Sequence, residues 1–210
     1  MVNTDTLDNA KPSIRGKIKQ QKTALIQEEI LLAAARLIAE RGFRAVTVDD
    51  ISAEMGFTKS IVYYYMKNKN EILWRIFEKI SATYDEGLQE VLRSEGTATE
   101  LLRSALRQHC LNVMTNRSWS IIYNRDENEL NEKQREIILA SRRKYNKSLH
   151  ELYSRGISEG TFRDTPPVLA VCCLIGACNW PYTWFKPNFG FTVEEVADNF
   201  VDLLIGGVVI

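Results

Sequence analysis

Residues that carry chemistry are scarce in this chain of 210 residues, which has two histidines and four cysteines. His109 and His150 stand alone on helical patterns, and no nucleophile with an orienting base, carboxylate pair or glycine-rich phosphate loop accompanies them, so an enzyme is not expected. Cys172, Cys173 and Cys178 crowd one apolar segment while Cys110 stands apart. That distribution excludes a disulfide framework and predicts small buried hydrophobes. On a helix the three clustered thiols diverge by about 100° and 140°, so no metal centre is expected either. Net charge is also missing: 27 basic residues balance 27 acidic ones, and any attraction to nucleic acid must come from local clusters. The polar stretch from Asn3 to Gln21 lacks the apolar core of a signal peptide, which makes the cytoplasm the expected location. Thr165 to Phe185 is uncharged throughout, long enough for a membrane span. Its paired Pro166 and Pro167, the break at Asn179-Trp180-Pro181 and the lack of a second such run predict a buried helix instead.

What is present is helical periodicity. After Leu73 it runs almost without interruption, with breaks at Gly96, around Asn116, from Asn128 to Asn131, at Gly160, at Thr165-Pro166-Pro167 and from Lys186 to Gly190. No strand pattern competes, so the fold class is all-α. A basic flexible arm is expected over residues 1–24, because Lys11, Arg15, Lys17, Lys19 and Lys22 occur there with no acid between them. A small DNA-binding domain over 25–72 and a larger helical domain over 73–210 follow. Leu130 to Glu159 reads as one long helix with Ile137, Ile138, Tyr145, Leu149 and Leu152 turned inward.

The most informative stretch is Thr47 to Leu73, two short helix patterns joined by a glycine turn. Thr47 suits an N-cap, and Asp49 and Asp50 lie in the first turn, where the helix dipole favours acids. Gly56 ends that helix and Thr58 caps the next. Two short helices joined this sharply make a helix-turn-helix, whose second helix enters the major groove. Steps of 100° per residue place Lys59, Ser60, Tyr63 and Tyr64 on one face, with Ile61, Val62, Tyr65 and Met66 opposite. Lysine, serine and tyrosine can reach phosphates or base edges, and a tyrosine ring can lie on a thymine methyl.

From Ile26 to Leu73 the chain resembles the N-terminal domain of the TetR family of transcriptional regulators. The residues that carry the likeness are Arg41-Gly42-Phe43, Thr47 with Ile51, Ala53 with Met55-Gly56 and Thr58, and Tyr63 through Lys69 to Leu73. Two positions depart from the pattern: Met66 replaces the usual phenylalanine, and Ser60 replaces a frequent glycine. The resemblance implies that Thr47 and Thr58 bind phosphates, that Lys59 and Ser60 sit near bases or backbone, and that Tyr63, Tyr64 and Lys69 grip the backbone of double-stranded operator DNA. It also implies a homodimer through the last two helices, a reading that the apolar character of Thr165 to Phe185 and of Val196 to Ile205 supports independently. The sign of regulation is not written in any residue, so repressor and activator both stay open, and a helical enzyme or carrier is the rival from another class.

Regulators resembling this family bind a small-molecule effector among their C-terminal helices. Gly176 to Pro187 is similar to the Asn-Trp-x-x-x-Trp-Tyr-x-Pro segment of a subgroup that responds to acyl-CoA thioesters, although Thr183 stands where that subgroup often has arginine and Lys186 is the nearest substitute. A small apolar or acyl-CoA-like effector is therefore expected, with Trp119, Tyr123, Asn179, Trp180 and Trp184 as its candidate contacts and Arg117, Arg125, Arg142 or Arg143 meeting an anionic head group. No cofactor or metal is called for.

Overall fold

In a computed structural model the described residues are 14–186, 188 and 190–210. Among them the chain forms ten α-helices and one turn of 3-10 helix, and the only strand-like pairing is a single bridge between Phe162 and Val209. Three helices build the reading head: α1 (Ile14–Arg41), α2 (Val48–Glu54) and α3 (Lys59–Tyr65). The rest follow as α4 (Lys69–Arg93), α5 (Ala98–Thr115), α6 (Arg117–Arg125), α7 (Glu132–Ser158), α8 (Pro167–Asn179), α9 (Pro181–Trp184) and α10 (Val193–Val208), with the 3-10 turn at Glu127–Glu129 between α6 and α7.

Local chemistry explains most of the helix starts. Thr47, Thr97, Asn131 and Thr192 each accept a hydrogen bond from the amide three residues on, and Asp50, Glu100, Gln134 and Glu195 return it to the cap amide. Each such capping box stabilises its helix by about 1 kcal/mol. Gly42, Gly56 and Gly160 terminate α1, α2 and α7 with positive φ, a conformation that a side chain would strain.

Two apolar cores divide the molecule. One joins Ile30, Ala34 and Ile38 of α1 to Ile51, Val62, Ile72 and Ile76, and then continues into the C-terminal domain through Trp119, Ile122 and Tyr123 of α6 and Ile138 of α7. The other lies among α5, α7, α8 and α10, around Leu102, Leu106, Tyr153, Leu174 and Val201. The reading head thus shares its core with α6, and a shift of α6 is felt by α1.

Several expectations are corrected. Residues 1–13 of the expected flexible arm, Lys11 among them, lie outside the described residues; from Ile14 on the arm is helical, with Arg15, Lys17, Lys19 and Lys22 exposed on the first turns of α1. The expected boundary at 72 falls within α4, which runs unbroken from one domain into the other. Ile61 and Ile137 face outward, 39% and 48% exposed, because α3 packs through Val62 and α7 through Ile138, one residue along in each case. Cys110 and Cys178 are buried as expected, whereas Cys172 and Cys173 are exposed on the outer side of α8.

Candidate nucleic-acid interface and effector cavity

The surface of the helix-turn-helix is set by Val62 and Met66, which are buried and fix the roll of α3. Thr58, Lys59, Ser60, Tyr63 and Tyr64 are consequently all exposed, Tyr64 by 74%. Thr58 occupies the N-cap position but its side chain makes no cap bond, so its hydroxyl is available. Thr47 is exposed too, yet its hydroxyl accepts from the Asp50 amide at 3.1 Å. Lys59 Nζ lies 2.8 Å from Asp49 Oδ2, and this carboxylate raises the lysine pKa. A phosphate at this face therefore competes with Asp49 for the ammonium.

Lys69 is placed differently from expectation. It is the first residue of α4, and its partly buried ammonium donates to the carbonyls of Phe43 and Val46 at 2.8 and 2.7 Å while lying 4.2 Å above the Phe43 ring. The side chain fastens the loop between α1 and α2 to α4. Its charge is engaged inside the protein rather than held out for a phosphate.

Within the C-terminal domain, α4 to α8 converge on a cavity of about 220 Å³. Its floor is a line of hydrogen bonds: Tyr145 Oη lies 2.9 Å from His109 Nδ1, and His109 Nε2 lies 3.1 Å from Asn179 Oδ1. Burial pulls the His109 pKa down to about 4, so the ring is neutral and carries one proton. Since an amide oxygen only accepts, that proton sits on Nε2 and the Tyr145 hydroxyl donates to Nδ1. Tyr84 stacks on the imidazole with centroids 4.9 Å apart, and burial pushes its phenol up to about 12. Tyr145 is shifted up for the same reason. Ser81 and Ser141 share one hydrogen bond of 2.9 Å, which leaves one hydroxyl proton for a guest.

Arg142 stands at the wall toward the reading head. Its guanidinium lies 4.3 Å from the centroid of Tyr123, donates to the Tyr123 carbonyl at 2.7 Å and pairs with Glu127 on the 3-10 turn. Two residues before that turn, Arg125 donates to the carbonyls of Ile38 and Ala39 at the end of α1, at 2.6 and 3.0 Å, and pairs with Asp126. Glu129 pairs with Arg44 in the loop that follows α1. Polar contacts made by one short segment, residues 125–129, therefore tie the cavity wall to the reading head.

Residues 95–208 match the family model described as tetracyclin repressor-like, C-terminal domain, and residues 30–76 match that of bacterial regulatory proteins, tetR family. The chain belongs to the TetR family. It is accordingly a DNA-binding transcriptional regulator with a helix-turn-helix head and an all-α C-terminal domain, not an enzyme. Relatives agree over nearly full length. The transcriptional repressor KstR2 of Mycolicibacterium smegmatis is 22% identical over 184 residues, 87% of this chain and 90% of the relative. The fatty acid metabolism regulator protein of Bacillus subtilis is 24% identical over 193 residues, 91% and 98% of the two chains. The solved structure of AibR in complex with isovaleryl coenzyme A and operator DNA superposes with a TM-score of 0.76 at 29% identity, covering 85% of this chain and 97% of that one. No helix among the described residues of this TetR regulator is long and apolar enough to cross a membrane.

Of the effector contacts expected from the sequence, Tyr123 and Asn179 line the cavity and the other three do not. Trp119 is buried beneath the junction with the head, where Lys79 lies 5.2 Å from its ring centroid. Trp184 packs on Phe185 and Phe200. Trp180 is 62% exposed on the outer surface. Among the arginines, Arg142 reaches the cavity, Arg125 is committed to α1, Arg143 is exposed, and Arg117 lies in a separate groove. The sequence reading missed Tyr84 and the role of His109, whose partners lie 36 and 70 residues away.

Proposed function

We propose that this TetR regulator is a homodimeric, cytoplasmic repressor of a palindromic operator that releases DNA when a small acyl-CoA-like effector occupies the cavity. Thr58, Lys59, Ser60, Tyr63 and Tyr64 meet the duplex, and Thr47 stiffens the helix in front of them. Residues 73–210 hold the effector and the dimer contact, with α8 and α10 as the pairing helices. Their outer faces carry Val168, Leu169 and Leu203, exposed by 55%, 63% and 77%, a patch suited to a second copy.

The observation that carries the reading is that one short segment holds Arg142 through Glu127 and, two residues earlier, holds the Ile38 and Ala39 carbonyls near the end of α1 through Arg125. A guest whose carbonyl oxygen draws Arg142 from Glu127 loosens the turn that anchors Arg125 and Arg44, and so resets the angle of the head. The cavity is smaller than the roughly 300 Å³ at which drug-sized sites begin. It suits an acyl portion, with Asn179 and a serine hydroxyl facing a carbonyl oxygen, better than a whole coenzyme. The neighbour solved with isovaleryl coenzyme A lends weight to a short acyl group.

Fluorescence anisotropy on labelled DNA flanking the regulator's own gene tests this directly. Specific binding is expected that random duplex does not displace and that isovaleryl-CoA or a longer acyl-CoA reverses. Specific binding indifferent to every thioester would discard the effector class and keep the DNA reading.

A further inference from the structure

Where the reading head meets the C-terminal domain lies a second concavity, of about 670 Å³, that shares no lining residue with the effector cavity. Leu32 and Arg36 of α1 form one side, the α5–α6 corner from Met114 to Trp119 forms the other, and Phe185 with the start of α10 closes one end. Arg117 is the residue in it that needs a physical account. Its Nε is buried and has no hydrogen-bond partner, and among the described residues its side chain joins no ion pair. It is also the first residue of α6, where the positive end of the helix dipole disfavours a cation, and the Asn116 side chain makes no cap bond there.

A buried guanidinium N–H without an acceptor is costly, and folded proteins nearly always supply the acceptor. None of the neighbouring side chains does so. The only carboxylate on the lining, Glu194, lies in the field of Arg107 on α5. An anion seated in the groove would meet the charge of the guanidinium and offset the dipole together. The rest of the wall is apolar and aromatic, through Leu32, Met114, Trp119 and Phe185, which calls for a ligand with a hydrophobic body.

We propose that this groove is a second ligand site, for an amphipathic organic anion whose carboxylate or phosphate rests on Arg117 and whose apolar body lies against Leu32, Met114 and Trp119. The site stands on its own geometry and does not depend on the effector assigned to the first cavity. It also lies one ion pair from the helix-turn-helix, because Arg36 on its rim holds Glu54 of α2 at 3.1 Å. A bound anion competes with Glu54 for Arg36.

Calorimetric titration of the full chain with 2-naphthoate, 2-naphthyl phosphate and the neutral 2-naphthylmethanol tests the proposal, in the wild type and in the Arg117→Met and Arg142→Gln variants. At least one of the two anions is expected to bind the wild type about tenfold or more tightly than the alcohol. The tighter of the two anions identifies the head group. Arg117→Met should abolish that preference, and Arg142→Gln should leave it intact. Without ligand, Arg117→Met should melt above the wild type, since it removes a buried N–H that has no acceptor. The proposal is overturned if no probe binds, if the alcohol binds as well as both anions, if the preference follows Arg142 instead, or if Arg117→Met melts below the wild type.

Discussion

Tyr145 donates its hydroxyl proton to His109 across 2.9 Å, joining α7 to α5 at the floor of the effector cavity. Because the imidazole also gives its own proton to Asn179 on α8, one neutral ring holds three helices in register. Charging the ring would turn Nδ1 from acceptor to donor and break the alignment with Tyr145.

The first prediction follows from that neutrality. His109 titrates near 4 in the folded protein against an ordinary 6.5, so between these values the unfolded chain binds a proton that the folded one refuses. Stability is lost as pH falls through that window and regained as it rises. Urea unfolding should show a contribution of about 2 kcal/mol at pH 7 that is missing at pH 5. His109→Gln should lack this contribution, and parallel pH dependences in the two proteins would refute the assignment.

Lys59 and Lys69 should separate cleanly. Lys69→Met removes two charge-assisted hydrogen bonds and should cost about 2 kcal/mol of stability while leaving the salt dependence of operator binding unchanged. Lys59→Met breaks an exposed pair, costs little stability and should lower the salt slope by about one. Denaturant melts and anisotropy at several salt concentrations distinguish the two. The reverse pattern would return Lys69 to the phosphate backbone.

Arg125→Ala is expected to uncouple the two ends of the molecule. Operator affinity without effector should change modestly, whereas, if an acyl-CoA relieves binding as proposed, the ratio of affinities with and without it should shrink about fivefold or more. An unchanged ratio would mean that the signal travels through the shared core of α1 and α6 instead.

Gly156 is a packing prediction. A Cβ there would lie 2.0 Å from the Phe162 ring, which itself stacks on Tyr153 with centroids 5.1 Å apart. Gly156→Ala should destabilise by about 2–3 kcal/mol and lower the melting temperature by several degrees. Adding Phe162→Leu should recover part of the loss, and simple additivity of the two changes would contradict the clash.

The reading head was legible in the sequence because its determinants are local. Thr47 caps with Asp50 three residues on, Gly56 turns the chain, and the faces of α3 follow from its spacing except at Ile61. The cavity was much less so. Tyr84, His109, Tyr123, Tyr145 and Asn179 meet there from five helices, and nothing in the spacing of one helix reports which face of another it meets. Tryptophans misled for the same reason: Trp180 and Trp184 sit beside Asn179 in the chain, but the break at Pro181 turns both away from the cavity. Lys69 matched the family spacing, yet spacing does not say that two carbonyls from a preceding loop would claim its charge.

The end of α1 is finished by an arginine from another domain, since Arg125 joins the Gly42 amide on the Ile38 carbonyl and is the donor to the Ala39 carbonyl. The two domains are therefore not interchangeable parts. A chimaera that grafts this head onto a relative's body leaves the Ala39 carbonyl without its donor unless the recipient offers a guanidinium at the same place. Exchange of DNA specificity among such regulators is then constrained as much by this seam as by the residues that touch the bases.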